Sequence, residues 1–192
     1  IDDHVFVGTL GWCDFQHPGL RHMRAYYSHK DVCPINDMDY VQLGHKWPEY
    51  VDALNHAFMQ RLRKAVRIPG ITNVVMLIHT PCFPSHSLEN PGSLVWAYFY
   101  NFKLGQDILY LARDYPELKF WCLAGHAHNF CRGVWGLEAE NLYTYGLKTT
   151  MDEQSLLVFD TDMDIEELRN VAPMRFVGGE TKRKLKVFNQ GM

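Results

Sequence analysis

The sequence lacks any long hydrophobic run, and this absence excludes a transmembrane helix within these residues. Its longest mainly apolar segments, 74–78 and 94–102, are much shorter than the roughly 20 residues of a transmembrane helix. Internal repeats and low-complexity tracts are also missing, and the hydrophobic share of 47% and charged share of 21% are typical of globular chains. We therefore expect one soluble domain over residues 1–192, without a membrane partner.

A strong charge of either sign is missing as well. The formal net charge is −3, and the one basic cluster, 182–186, lies close to the C-terminus. A nucleic-acid interface normally combines dispersed Lys and Arg residues with a recognisable binding module. We therefore expect no strong nucleic-acid footprint, and the sequence leaves the oligomeric state open.

Cysteine is too sparse for a disulfide-stapled secreted domain. The chain has five cysteines, namely Cys13, Cys33, Cys82, Cys122 and Cys131. An odd count at this density favours reduced thiols, so a cytoplasmic location is predicted. The chain begins at Ile1 without an initiator methionine and enters a strand pattern almost at once. We therefore expect that upstream sequence has been lost, and a signal peptide could lie there.

What the sequence does contain is an alternating order of strand and helix patterns. Apolar residues recur at three- and four-residue intervals from Val51 to Val66, which predicts a helix that opens at 47–48 and stops at 69–70. A second helix is predicted at 93–115. Strands are predicted at 4–8, 73–78, 119–124, 133–137, 141–146 and 155–161. The last three are expected to form a meander that closes one sheet, and the whole order indicates an α/β fold with a mixed sheet.

Histidines follow two of the predicted strands. His79 comes directly after the strand at 73–78, and His126 and His128 follow the strand at 119–124. In open α/β folds the loops at the C-terminal ends of the strands converge on one crevice. Imidazole is a common ligand for Zn, Mn and Fe. We therefore expect these three side chains to meet and to hold one metal ion or two neighbouring ions.

The segments around these histidines resemble motifs of calcineurin-like metallophosphoesterases. Segment 125–128, GHAH, is similar to the GHxH motif of that family, and segment 74–81, VVMLIHTP, is similar to the histidine motif that precedes it. Segment 5–15 resembles the strand and Trp-containing turn that follow the family's GNHD/E motif, and the Asn-Asp pair at 36–37 also has a counterpart there. The resemblance covers most of residues 4–150.

The resemblance implies a dinuclear metal centre in an αββα sandwich with mixed sheets. In such a centre His79 and His126 bind one divalent ion and His128 binds the other, the ions being Mn, Fe or Zn. Two neighbouring ions clamp a phosphate and activate a water, so the implied reaction is hydrolysis of a phosphomonoester or phosphodiester.

The first three motifs of that family, DxH, GDxxD and GNHD/E, have no counterpart in the required context. They would supply the bridging Asp and the general acid, so no catalytic residue is assigned within this chain. The N-terminal half of the domain is therefore expected upstream of Ile1, and the chain as printed should be a poor catalyst alone.

Three polar residues beside the metal motifs are candidates for contact with the substrate phosphate: His86, Asn129 and Arg132. Arg132 could hold a phosphate through paired hydrogen bonds. Each of the three also fits a solvated loop position.

Two alternative hypotheses remain open at this stage. Because the carboxylate motifs are missing, the chain could be a binding or scaffold module that keeps the fold without catalysis. A mononuclear structural zinc site could instead form from Cys122, His126, His128 and Cys131, since Cys and His are the usual ligands of structural zinc. Against the zinc site, Cys122 lies inside an apolar strand, where a cysteine is usually a small core residue.

Overall fold

The computed structural model describes residues 3–16, 46–87, 99–127, 131–148, 153–171 and 173–177. Within these ranges the strands are β1 (His4–Thr9), β2 (Asn73–Ile78), β3 (Lys119–Ala124), β4 (Trp135–Ala139), β5 (Leu142–Gly146), β6 (Glu153–Leu156) and β7 (Met174–Val177). The helices are α1 (Trp47–Ala65), α2 (Phe102–Asp114) and α3 (Ile165–Arg169), and a 3-10 turn spans Pro84–His86. This content confirms the predicted α/β class.

Five strands form one mixed sheet in the order β1-β2-β3-β5-β4. Its first three pairs are parallel, whereas β4 runs antiparallel to β5. Strands β6 and β7 form a separate antiparallel pair. The predicted meander is therefore wrong, because β5 lies between β3 and β4 and because β6 is not part of this sheet. Burial explains the inner place of β5: four of its five residues are buried, against one of five in β4.

The bounds of β2 and β3 agree with the prediction, and α1 also lies where the apolar spacing placed it. Helix α1 opens with Trp47 and Pro48, and proline is tolerated there because the first N–H groups of a helix have no intrahelical partner. Its buried face includes Val51, Phe58 and Leu62. None of the described helices combines the length and apolar character that crossing a bilayer requires.

Two predictions of element bounds need correction. Helix α2 begins at Phe102, later than predicted, because the side chain of Asn101 caps it by accepting the Leu104 N–H at 3.1 Å. Part of the predicted helix, 93–98, lies outside the described residues. The last predicted strand, 155–161, is replaced by β6, which ends at Leu156, and the unpredicted helix α3 follows.

Helices α1 and α2 cover one face of the mixed sheet. Successive strand residues point to opposite faces of the sheet, so alternate residues of each strand face these two helices. The resulting core cluster contains Val74, Met76, Ile78, Phe120 and Cys122 from the strands, and Phe58, Leu62, Leu104 and Ile108 from the helices. Full burial of one such aliphatic or aromatic side chain stabilises the fold by about 1.5–3 kcal/mol.

The opposite face is covered over only part of its width. Trp121, Trp135 and Tyr145 form a buried cluster there with Leu168 of α3. Near β1 the cover ends: Phe6 is 60% exposed, and Leu77 at the end of β2 is 50% exposed. The sheet thus has one fully covered face and one face on which apolar side chains of two neighbouring strands remain open.

Asp3 fastens the start of β1 to the start of β2. Its backbone carbonyl accepts the N–H groups of Thr72 and Asn73 at 2.9 and 3.1 Å. Its carboxylate accepts the Thr72 hydroxyl and contacts Nδ1 of His4 at 2.7 Å. The hydrogen bonds from Thr72 and His4 lower the pKa of Asp3 to about 2.

We predict that this contact weakens at acid pH. The pKa of Asp3 is lower in the folded chain than the value of about 3.9 for an unperturbed Asp. Its stabilisation is therefore present above pH 4 or so and is lost as the pH falls towards 2. Carboxyl NMR titration should locate this low pKa, and Thr72→Val should raise it. An ordinary Asp3 pKa in the unaltered chain would contradict the contact.

Candidate functional site

The C-terminal ends of β1, β2 and β3 lie at one edge of the sheet. Thr9 pairs with Ile78, and Ile78 pairs with Ala124, so the three strands end level with one another. Backbone bonding continues one residue further, since the His79 N–H donates to Thr9 O at 3.1 Å and the Gly125 N–H donates to His79 O at 3.2 Å. The loop that carries His79 and the loop that carries His126 therefore start side by side.

The imidazoles of His79 and His126 lie next to each other at this edge. Their ring centroids are 4.5 Å apart, with an angle of 57° between the planes. His79 is exposed and His126 is partly buried. Two of the three predicted metal ligands are thus neighbours, whereas His128 lies outside the described residues.

A shared metal ion would set the ring separation through the angle between its ligands. An ion about 2.1 Å from an imidazole nitrogen lies about 3.2 Å from the ring centroid, so ligands at about 90° place their centroids about 4.5 Å apart and ligands at about 109° place them about 5.2 Å apart. The observed distance is 4.5 Å. These two rings alone do not form a complete site, and in the described part of the chain no three His, Cys, Asp or Glu side chains group as metal ligands.

A tight turn sets the direction of His126. The residue has a φ of 62°, in the left-handed region where histidine is less disfavoured than most side chains. The N–H of Ala127 closes the turn by donating to Gly125 O at 2.7 Å, and the Cys131 thiol also donates to Gly125 O at 3.3 Å. These two hydrogen bonds to Gly125 O fix the backbone at the start of the GHAH segment.

Aromatic side chains surround His126. The ring centroid of Trp12, just after β1, is 5.8 Å from that of His126, and the centroid of Phe99 is 5.3 Å away. Trp47 of α1 packs edge-on against Trp12 at 5.2 Å. Trp12 had no predicted site role, although the signal was present: like His79, it follows a parallel strand at the same edge.

Four buried polar atoms lack a hydrogen-bond partner among the described residues: Nε1 of Trp12, Trp47 and Trp135, and Oγ1 of Thr80. Leaving such an atom unsatisfied costs about 1–3 kcal/mol. Trp12 and Thr80 belong to the loops that follow β1 and β2, whereas Trp135 opens β4 and lies in the cluster on the other face.

His86 lies away from solvent and bonds to the backbone. It is 0% exposed, its Nδ1 accepts the Cys82 N–H at 3.2 Å, and its Nε2 donates to Cys122 O at 3.2 Å. Both ring nitrogens are therefore occupied, and this assignment of the ring proton follows from the two bonds. The role that these contacts support is structural, in place of the predicted phosphate contact.

The other predicted site residues have different outcomes. Arg132 is exposed, and its backbone N–H donates to His86 O at 2.9 Å, so its side chain remains a candidate. Asn129 lies outside the described residues. For the structural zinc hypothesis, Cys122 Sγ contacts Cys82 Sγ in the core at 3.8 Å, and Cys131 bonds to Gly125 O. The thiols of Cys122 and Cys131 therefore contact different partners and not a common metal position.

Residues 79–87, here called the seated loop, are held by close backbone contacts on two sides. A Cβ at Gly105 of α2 would overlap the Cys82 carbonyl oxygen, and a Cβ at Gly146 of β5 would overlap the His86 carbonyl oxygen. Ser85 Oγ also hydrogen-bonds to Thr144 Oγ1 at 2.6 Å. The loop that begins with His79 is therefore fixed against both a helix and the sheet.

An apolar cavity of about 450 Å³ lies at the same edge, on the partly covered face of the sheet. His79 and Gly125 line one side, and Leu77, Leu123, Leu147 and Leu156 line most of the remainder. Leucine side chains do not suit a phosphate group, so this cavity belongs to the apolar cover of the sheet rather than to the candidate metal site.

Comparison with known proteins adds no relative: no family model, curated protein or solved structure matches the chain. The candidate site therefore rests on its geometry and on the motif resemblance.

The seated loop predicts an unusual response to Gly105→Ala. Glycine to alanine within a helix normally stabilises by about 0.5–1 kcal/mol. Here the added methyl group would overlap the Cys82 carbonyl, so we expect a loss of about 2 kcal/mol in urea unfolding. Gly8→Ala is the control, because the nearest atom to its added methyl group would be Leu77 O, 3.6 Å away. Equal effects of the two substitutions would contradict the close contact.

The buried position of His86 predicts that its removal affects stability. His86→Ala leaves a cavity and an unsatisfied Cys82 N–H, which together should cost about 2–4 kcal/mol. His56→Ala, at an exposed position of α1, should cost less than about 0.5 kcal/mol. Urea unfolding measures both, and wild-type stability of His86→Ala would show that the two backbone bonds do not matter.

Proposed function

We propose that this chain supplies histidine ligands to the divalent metal centre of a phosphoesterase. The observation that carries the proposal is the pair His79 and His126, whose ring centroids lie 4.5 Å apart at the common end of two parallel strands. Such a separation suits two ligands of one ion. The resemblance to calcineurin-like metallophosphoesterases supports the same pairing and adds His128 as a ligand of a second ion, either being Mn, Fe or Zn.

The chemistry follows from what such ions do when bound. When bound, such ions would activate a water for attack on a phosphate ester and would stabilise negative charge on the phosphate oxygens. In this chain His79 and His126 would hold an ion, each through one ring nitrogen. Trp12 and Phe99 pack against the ring of His126 and would orient it. Arg132, Trp12 Nε1 and Thr80 Oγ1 would be the donors for phosphate oxygens.

The finer fold assignment is also a proposal. We propose that the mixed sheet is one layer of an αββα sandwich. The helices α1 and α2 supply the outer layer on one face. The exposed Phe6 and Leu77, together with the leucine-lined cavity, support a second β layer on the other face. In this assignment, the chain supplies only the histidine ligands of the metal centre.

Metal binding is the direct test. We expect the purified chain to bind Mn²⁺, and His79→Ala or His126→Asn to weaken that binding by at least about tenfold, as loss of metal-supporting residues does. Asn is chosen at 126 because it tolerates the left-handed backbone, so the turn should survive. Electron paramagnetic resonance of free Mn²⁺ gives the affinity. His56→Ala on α1 is the matched control and should bind as the unaltered chain does.

Hydrolysis is the second readout. Any activity towards p-nitrophenyl phosphate or bis-p-nitrophenyl phosphate should fall with the same two variants and persist in the control. A full-length protein that binds none of Mn, Fe and Zn and leaves both compounds intact would favour the scaffold hypothesis. Metal binding that survives both substitutions would show that the ion lies elsewhere.

A further inference from the structure

Two cysteines meet in the core beneath the seated loop. Cys82 lies in that loop and Cys122 lies in the middle of β3, and their sulfur atoms are 3.8 Å apart. Cys82 is 1% exposed and Cys122 is 0% exposed. Neither thiol has a role in the proposed metal site. Their contact joins parts of the chain that are 40 residues apart.

We propose that Cys82 and Cys122 are a redox modification site, at which a hydroperoxide converts the two thiols into an intramolecular disulfide. A disulfide has a sulfur separation of about 2.05 Å, so the two sulfurs must approach by about 1.8 Å. Rotation about the two Cα–Cβ bonds changes the sulfur separation while the backbone stays in place. Cys131 is engaged elsewhere, with Gly125 O.

The two thiols are equivalent in their shared contact, since either sulfur can be the donor. The nucleophile is the sulfur that loses its proton, because the thiolate is the reactive form of cysteine.

The reaction balances with a hydroperoxide as the oxidant. One of the two sulfurs, as the thiolate, attacks one peroxide oxygen, the O–O bond breaks, and a sulfenic acid forms with release of hydroxide, or of alkoxide from an organic peroxide. The other sulfur then attacks the sulfenic sulfur, the S–O bond breaks, and the thiol proton leaves with the departing oxygen as water. Two thiols thereby lose two electrons and two protons, and hydrogen peroxide becomes two waters. Because both sulfurs are buried, peroxide must enter through a local opening, so the reaction should be slower than that of an exposed thiol.

The disulfide would tie the seated loop to β3. The loop begins at His79, and β3 leads directly to His126, so the bond would connect the supports of both imidazoles. A covalent link that closes a loop of 40 residues also restricts the unfolded chain. We therefore expect the oxidised chain to unfold at a higher urea concentration than the reduced chain.

Mass spectrometry of the unaltered chain is the primary test, so the result does not depend on any variant folding. The folded chain is treated with hydrogen peroxide, then unfolded and alkylated with N-ethylmaleimide. We expect the product to carry two alkyl groups fewer than the reduced chain, which has five cysteines, and proteolysis to release a cross-linked Cys82–Cys122 peptide. Cys131→Ser is the matched control and should lose the same two groups. Cys82→Ser and Cys122→Ser should not form this peptide.

Three results would overturn the proposal. Full alkylation after peroxide treatment would show that the thiols in the core do not react. A cross-link between other cysteines would show that a different pair is the site. Gain of oxygen atoms at one of the two cysteines, with the other still alkylated, would show that the two sulfurs cannot approach to bonding distance.

Discussion

The place of both imidazoles depends on the register of three parallel strands. β1, β2 and β3 end level, and the backbone bonds from His79 to Thr9 and from Gly125 to His79 extend the ladder into the loops. A slip of one residue in any strand would exchange its two faces and expose the residues that pack against α1 and α2. The helix-covered core therefore fixes the register, and the register in turn brings the two histidines together.

A second constraint acts on the loop after β2. Loops of this kind are usually mobile, because few of their backbone groups bond to the rest of the fold. In the seated loop, Gly105 and Gly146 admit backbone from both sides, and His86 bonds back to Cys82 and across to Cys122. Contacts of this type hold a binding residue in place before a ligand binds, because the position of that residue depends on the residues that pack behind it.

The sequence predicted what local patterns encode and missed what depends on distant pairing. β2, β3 and α1 carry clear apolar periods, and their places followed from these periods. The order of β4 and β5 in the sheet did not follow from such periods, because it depends on β5 pairing with β3, which is distant along the chain. Helix α3 could have been found, since Asp164 and Glu167 form a capping box whose spacing is visible in the sequence. The burial of His86 could not, since it results from contacts with β3 and β5.

The tryptophans within the described ranges, which leave out Trp96, divide into two groups with different surroundings. Trp12 is in ring contact with His126 and with Trp47, whereas Trp121 and Trp135 lie together against Tyr145 and Phe159 on the other face of the sheet. Tryptophan fluorescence from the group near His126 and from the second group would therefore report on two separate parts of the protein. A paramagnetic ion between the imidazoles would quench the emission of the first group more strongly, and the second group would serve as an internal optical reference.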